Sequence, residues 1–449
     1  MDKIKSFLVS NHFTAVLFAL ACVIVFTSSE IVGTILFVFI FALQMAVCND
    51  WIPMLQTLMF TVCFAIRCKN SFDDFIRFWW IAPIIAALVV FHFIKYKPKL
   101  AKGSCFYGVL AASIAVTLGG VGIISPKEYF NYTSIFYVFV LGFGMLLAYS
   151  YMSATLKNDS LRPFSDRFSK MMICIILLLG VCLFEEYFSH RDLLAEKFDI
   201  IPFQWRNNAA TLLMLAMPFP FYKSVNKFGY FLLGIIDYVF ILFTGSRGGM
   251  LFGLIELIIC IIAMFVIDKK HRLYISFVII TSIVLTALTY NIWTDTLSYT
   301  LMRLIDPNEN SIRLQLIPRG IEDFKANPLF GRGIGYMGNR DIHKSAAHAL
   351  CWYHCSPIQV IGSFGICGVL AYGYLIFLRI KTLFKNFTFF NIILFISYLG
   401  LELMSLVNPG IFAPFPYLFL ATLYFVIMER CNSDEDKKAL SKIFKGENK

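Results

Sequence analysis

The hexapeptide Thr244-Gly245-Ser246-Arg247-Gly248-Gly249 joins two apolar blocks and combines three features that suit a phosphate. Its glycines let the backbone turn and come close to a ligand. Ser246 and the free N–H groups at the start of the following helix favour an anion. Arg247 adds a forked, permanently charged donor. An arginine snorkelling to the membrane surface beside a glycine turn has the same composition, so the motif alone leaves both readings open. A second polar group, Phe203-Gln204-Trp205-Arg206-Asn207-Asn208, stands at the mouth of another apolar block. There Arg206 can assist an anion site, or the segment can be an ordinary interfacial belt.

A third constellation is spread over a long polar stretch between about residues 291 and 356. Ser311 to Arg319 reads as a short amphipathic surface helix carrying Arg313 and Arg319. Asn327-Pro328-Leu329-Phe330-Gly331-Arg332-Gly333 is too turn-rich for a helix interior. His348, Cys351, His354 and Cys355 have the residue types of a zinc site, but their spacing fits no common zinc pattern, and no metal is assigned. His354 alone is a candidate proton acceptor near neutral pH. Cofactors are expected to be none.

The elements that position these residues follow from composition. Of 449 residues, 59% are hydrophobic and 15% charged, and mean hydropathy is +0.73. Those values exclude a soluble globular enzyme, a disordered chain and a nucleic-acid-binding module. The apolar residues come in blocks long enough to cross a bilayer as helices, and they do not alternate as barrel strands would. The expected fold is an all-α polytopic membrane protein with about 12–14 transmembrane helices and one large extracytoplasmic loop, 291–356, between the late helices. Expected spans include 12–27, 31–48, 75–94, 104–125, 133–155, 171–186, 208–222, 229–243, 250–267, 273–290 and 357–378. The first follows Lys3 and Lys5 without a small-residue cleavage site, so it reads as a retained helix. The 12 cysteines fall mostly inside apolar blocks and imply no disulfide framework.

Net charge is +11. Lys95, Lys97, Lys99 and Lys102, then Lys223 and Lys227, Lys269 and Lys270, and Lys381 and Lys385 gather in alternate short loops, which places both chain ends inside. Arg67 and Lys69 run against that pattern. So do seven basic residues of the 291–356 loop, for which an anionic ligand at the outer surface is one reason and anionic headgroups another. The tail after Arg430 reads as a short solvated helix or frayed end.

The order of these pieces resembles the bacterial O-antigen ligase / O-antigen polymerase family. The resemblance rests on Ser246-Arg247-Gly248, Arg313, Asn327-Pro328-Leu329-Phe330-Gly331-Arg332-Gly333, and His354 followed by Ile358, Gln359, Gly365 and Gly368, with Arg206-Asn207-Asn208 upstream. It covers about residues 203–378. Cys355 and Ser356-Pro357 depart from the family pattern. The resemblance implies three segments: N-terminal helices 1–202, a catalytic region 203–378, and C-terminal helices and tail 379–449. It implies a multi-pass protein of the bacterial cytoplasmic membrane whose active face is extracytoplasmic. The activity implied is a metal-independent, inverting glycosyl transfer from undecaprenyl diphosphate to a glycan or glycolipid acceptor, as polymerase or as ligase. The partners are then the lipid-linked glycan, its acceptor and membrane lipid, with no nucleic acid. His354 and Arg247 carry the catalytic roles, and Arg206, Ser246, Arg313 and Arg319 the diphosphate. The competing class is a transporter or flippase for the same lipid, suggested by the intramembrane acids Asp237, Glu256 and Glu402.

Overall fold

A computed structural model describes residues 2–8, 10–49, 51–67, 81–120, 132–156, 164–190, 206–291, 307–335, 352–408, 412 and 417–431. Among these residues the chain is helical and has no strand. Among the described residues six helices are long and apolar enough to cross a membrane by length and composition, and further apolar helices are shorter. The protein is an all-α polytopic membrane protein.

The chain folds into two units, Met1–Pro98 with Asp159–Leu301, and Lys99–Asn158 with Met302–Lys449. Residues 203–378 are divided between the two. Helix packing, not chain order, sets the units.

The first unit contains α1 (Asp2–Leu8), α2 (Asn11–Phe26), α3 (Glu30–Val47), α4 (Trp51–Arg67) and α5 (Ile81–Tyr96). It continues with α9 (Phe164–Ser189), α10 (Arg206–Ala216), α11 (Pro218–Ser224), α12 (Gly229–Phe243), α13 (Arg247–Ile267) and α14 (Arg272–Leu288). Its core is the short α10, buried from Asn208 to Ala216. Small residues allow that: a Cβ on Gly249 would stand 2.7 Å from the Ala210 Cβ, so α13 approaches α10 closely. The expected span 208–222 divides before Pro218, which begins α11. At one end of this unit, Asp166 of α9 pairs with Lys170 and with Lys223 of α11. At the other end, the Tyr187 hydroxyl of α9 donates to the Phe243 carbonyl, 2.8 Å, where α12 ends and α13 begins. The basic loops and the Ser246-Arg247 turn therefore occupy opposite ends of this unit, as charge asymmetry predicts.

The second unit contains α6 (Phe106–Gly120), α7 (Tyr132–Leu141), α8 (Phe143–Thr155), α15 (Pro307–Ala326), α16 (Ser356–Lys385), α17 (Phe389–Met404) and α18 (Tyr417–Arg430). The expected span 133–155 divides at Gly142, where any side chain would meet the Val138 carbonyl at 2.5 Å. Helices α6 and α16 pack antiparallel through glycines: a Cβ on Gly108 would lie 2.9 Å from the Leu375 Cα, and one on Gly119 would lie 3.0 Å from the Ser363 carbonyl. At one end of this unit Glu429 accepts from the Ser104 N–H, 2.7 Å, capping the start of α6 beside Lys102. At the other, Ser134 donates to the Ile334 carbonyl and the Ser356 N–H donates to the Ser405 carbonyl, both 2.8 Å. His354 and the turn after α15 lie at this second end.

The surface helix expected from Ser311 to Arg319 is longer, Pro307–Ala326, and continues through Pro318. Span 357–378 is part of Ser356–Lys385, with Pro357 in its first turn, so the proline opens the helix. Residues 68–80, 203–205, His348, Cys351, Arg303, Arg340, Lys344 and the tail from 432 lie outside the described residues. The candidate zinc set therefore cannot be assembled from His354 and Cys355 alone, and among the described residues no three metal-ligating side chains cluster.

Candidate functional site

In the first unit the site is a helix start. Gly245 takes φ +66°, with nothing within 4 Å of the position its Cβ would fill, so here the turn demands glycine by conformation and not by space. Ser246 follows in extended conformation and caps α13, its hydroxyl accepting from the Gly249 N–H at 3.1 Å. The same hydroxyl donates to the Asn207 Oδ1 of α10 at 2.8 Å. Ser246 is 1% exposed. Its hydroxyl is thus engaged on both sides, and it orients the turn. Arg247 is the first residue of α13 and is half-buried, where the partial positive charge of the helix start adds to its own. Arg206 stands at the equivalent place on α10, beside the asparagine that holds Ser246. Two arginines therefore open two neighbouring helices at one end of this unit. The sequence motif Arg206-Asn207-Asn208 gains a specific meaning: Asn207 is the brace of the Ser246 turn.

In the second unit the site is built on a broken helix. At Gly365, φ +61° and ψ −154° interrupt α16. A break exposes backbone donors and acceptors that must be satisfied. The Asn327–Gly333 turn supplies the partners. Ile366 N–H donates to the Pro328 carbonyl at 2.8 Å and Cys367 N–H to Leu329 at 3.2 Å. In return, Arg332 N–H donates to the Gly362 carbonyl at 2.8 Å and Gly333 N–H to Ser363 at 3.1 Å. Backbone meets backbone so closely that a Cβ on Gly331 would lie 2.3 Å from the Ser363 carbonyl carbon. The glycines of the turn and of α16 are one interlocked feature.

Helix α15 lies against this junction along Leu316, Gly320 and Asp323, the stripe its periodicity selects. A Cβ on Gly320 would meet Ile358 at 2.3 Å. Asp323, 4% exposed, accepts from the Tyr353 hydroxyl at 2.7 Å and has the Arg332 guanidinium 3.7 Å away. Arg319 pairs with Glu322 at 3.8 Å and stays about one-third exposed. Burial raises the Asp323 carboxyl above the usual range, while the Tyr353 hydroxyl, Arg332 and Arg319 pull it down. Tyr353 N–H donates to the Gln359 Oε1 at 3.0 Å, and Gln359 donates to the Ser363 hydroxyl at 2.7 Å. His354, next in sequence, is half-exposed and sits at φ +53°, a left-handed conformation that costs a non-glycine residue about 1 kcal/mol or more. Arg313 lies on α15, one turn or more before Arg319; its side chain is outside the described residues.

The structure thus gathers Arg206, Asn207, Ser246 and Arg247 in one cluster, and Arg319, Asp323, Arg332, Tyr353 and His354 in another. Asp323, Tyr353 and Arg332 were absent from the expected site. An acid on the inward stripe of an otherwise amphipathic helix was the signal that could have found Asp323.

Comparison with known proteins bears on both clusters. A search of curated proteins finds no match to the chain. Residues 230–373, which contain Ser246-Arg247, α15, the glycine turn and His354, match the family model of the O-antigen ligase. Over these residues the chain is similar to the O-antigen ligase family.

Proposed function

We propose that the protein transfers a glycan from undecaprenyl diphosphate to an acceptor sugar hydroxyl at the outer face of the bacterial cytoplasmic membrane. The observation that carries the reading is the seating of Arg247 as first residue of α13, behind a capped serine braced by Asn207. A guanidinium carried at a helix start suits an anion whose charge grows during reaction.

In the proposed step the acceptor oxygen attacks the anomeric carbon. The new carbon–oxygen bond forms as the bond to the diphosphate breaks, with inversion at that carbon. The acceptor proton passes to the neutral imidazole of His354. The leaving undecaprenyl diphosphate gains one negative charge, which Arg247 and Arg206 stabilise by forked contacts. Arg313 and Arg319 hold further diphosphate or glycan oxygens. Fixed arginines perform this role without a metal. Polymerase and ligase share the chemistry and differ in acceptor.

The test is an assay of purified protein with lipid-diphosphate-linked glycan and acceptor in detergent. Elongated or transferred glycan is expected from the wild type and none from Arg247→Ala or His354→Ala. Near-normal transfer by either variant overturns its role. One observation favours the transporter reading instead: Asp237 and Glu256 are fully buried, and their carboxyl oxygens have no hydrogen-bond partner among the described residues. Detergent has no two sides to transport between, so product there requires an enzyme.

A further inference from the structure

We propose that Asp323 is a positioning residue that holds His354 in place through Tyr353 and, by the same carboxyl, restrains Arg332. This rests on the reading of His354 as proton acceptor. The geometry is a chain of three links. The Asp323 carboxyl, on α15, accepts from the Tyr353 hydroxyl at 2.7 Å. The Tyr353 backbone N–H is held by Gln359 at 3.0 Å, and Gln359 is held by Ser363. Tyr353 is therefore pinned at both ends, and its ring is wedged against the positions of Gly320 and Gly362. A residue pinned in this way leaves its successor little choice of direction.

His354 needs that restraint. At φ +53° it occupies a conformation that is uncommon outside glycine and persists when the surroundings over-determine it. The pinned tyrosine before it and the start of α16 at Ser356 after it leave two residues to make the bend. The other oxygen of Asp323 lies 3.7 Å from the Arg332 guanidinium, within the turn that fills the break in α16. One buried carboxyl thus links the segment that carries His354 to the backbone junction that the glycine motifs build. Asp323 itself is too enclosed to touch substrate, at 4% exposure.

The experiment uses full-length protein in detergent with two conservative variants, Asp323→Asn and Tyr353→Phe. The phenylalanine keeps the ring and its packing and removes only the hydroxyl. Two readouts are taken. The first is the rate at which diethyl pyrocarbonate labels His354, resolved by mass spectrometry from His12 and His190. Each variant is expected to change the His354 rate by about threefold or more, the equivalent of losing one buried hydrogen bond, with the other histidines unchanged. The second is glycan transfer. Each variant is expected to lower kcat about ten- to a hundredfold with donor KM within about twofold, the mark of misplaced reacting groups. The double variant is expected to be no worse than the poorer single one.

An unchanged His354 labelling rate in both variants overturns the proposal. So does a rise in KM at constant kcat, which would assign Asp323 to binding through Arg332, or losses that multiply in the double variant. If wild-type protein transfers no glycan, the functional reading fails, while labelling still decides whether Asp323 positions His354.

Discussion

The two polar clusters are built on opposite plans. The one at the start of α13 is local: a six-residue turn, one capping hydroxyl and one asparagine from α10. The one around Asp323 is distributed. It draws on α15, the Asn327–Gly333 turn, the residues before α16 and the break inside α16, joined by reciprocal backbone hydrogen bonds. In the first, the polar side chains stand at the tip of a simple helix. In the second, most polar groups are spent on holding each other, and His354 is what they present. A local site can be altered residue by residue, whereas a distributed one fails as a whole.

The largest expected difference is in activity. Arg247→Ala is expected to lower transfer about a thousandfold, the scale of removing a fixed donor from a developing anion. Arg247→Lys keeps the charge but not the fork, and is expected to restore less than about a tenth. Arg319, about one-third exposed and paired with Glu322, is expected to cost about tenfold on removal. Initial rates at saturating donor measure all three. Equal losses for Arg247 and Arg319 would erase the contrast between a guanidinium at a helix start and an accessory one.

Stability sharpens the comparison next. Gly331→Ala places a methyl group against the Ser363 and Phe364 backbone at a position with φ +69°. Neither partner can move without undoing the hydrogen bonds that fill the helix break, so a loss of about 3 kcal/mol or more is expected. Gly245→Ala has a similar φ, +66°, but open space, so only the conformational cost of about 1 kcal/mol applies. Thermal unfolding in detergent compares them. A similar drop in both would mean that the turn after α15 is no more interlocked than the turn before α13.

This contrast also explains what the sequence made legible. Span positions follow from hydrophobic blocks, because burial in lipid acts on composition, and Lys and Arg mark loops that share an end. The Ser246 turn was legible because its cap and glycines are contiguous. The division at Gly142 and the break at Gly365 were not, because a glycine within an apolar run carries no period of its own. Likewise, the bond from Asp323 to Tyr353 spans 30 residues, and nothing in either neighbourhood announces the other. Ser246 shows a subtler gap: its type suited an anion ligand, yet two protein partners already occupy its hydroxyl.

Ser246 also yields a smaller test. Ser246→Ala and Asn207→Ala each remove one side of the brace and are expected to cost about 1 kcal/mol of stability, as for a lost helix cap. Because they act on one hydrogen bond, the double variant is expected to lose less than the singles combined. Fully additive losses in thermal unfolding would mean that Asn207 and Ser246 contribute separately.

The smallest effect distinguishes how the second cluster balances its charge. Burial raises the Asp323 carboxyl and Glu322 acts in the same direction; the Tyr353 hydroxyl, Arg332 and Arg319 oppose them. With the raised value, the folded protein holds this proton more tightly than the unfolded chain. The stabilisation is fully present below the unfolded carboxylate value, near about 3.9, and is lost as pH rises through the folded value. Asp323→Asn has no proton to lose there. The melting temperature of wild type minus that of the variant is therefore expected to fall as pH rises above about 4 and then to level off. A difference that grows with pH would mean that the two guanidinium groups outweigh burial. Arg319 and Arg332 would then be committed to Asp323 and less able to serve an anionic substrate, and the distributed cluster would be a scaffold for His354 alone.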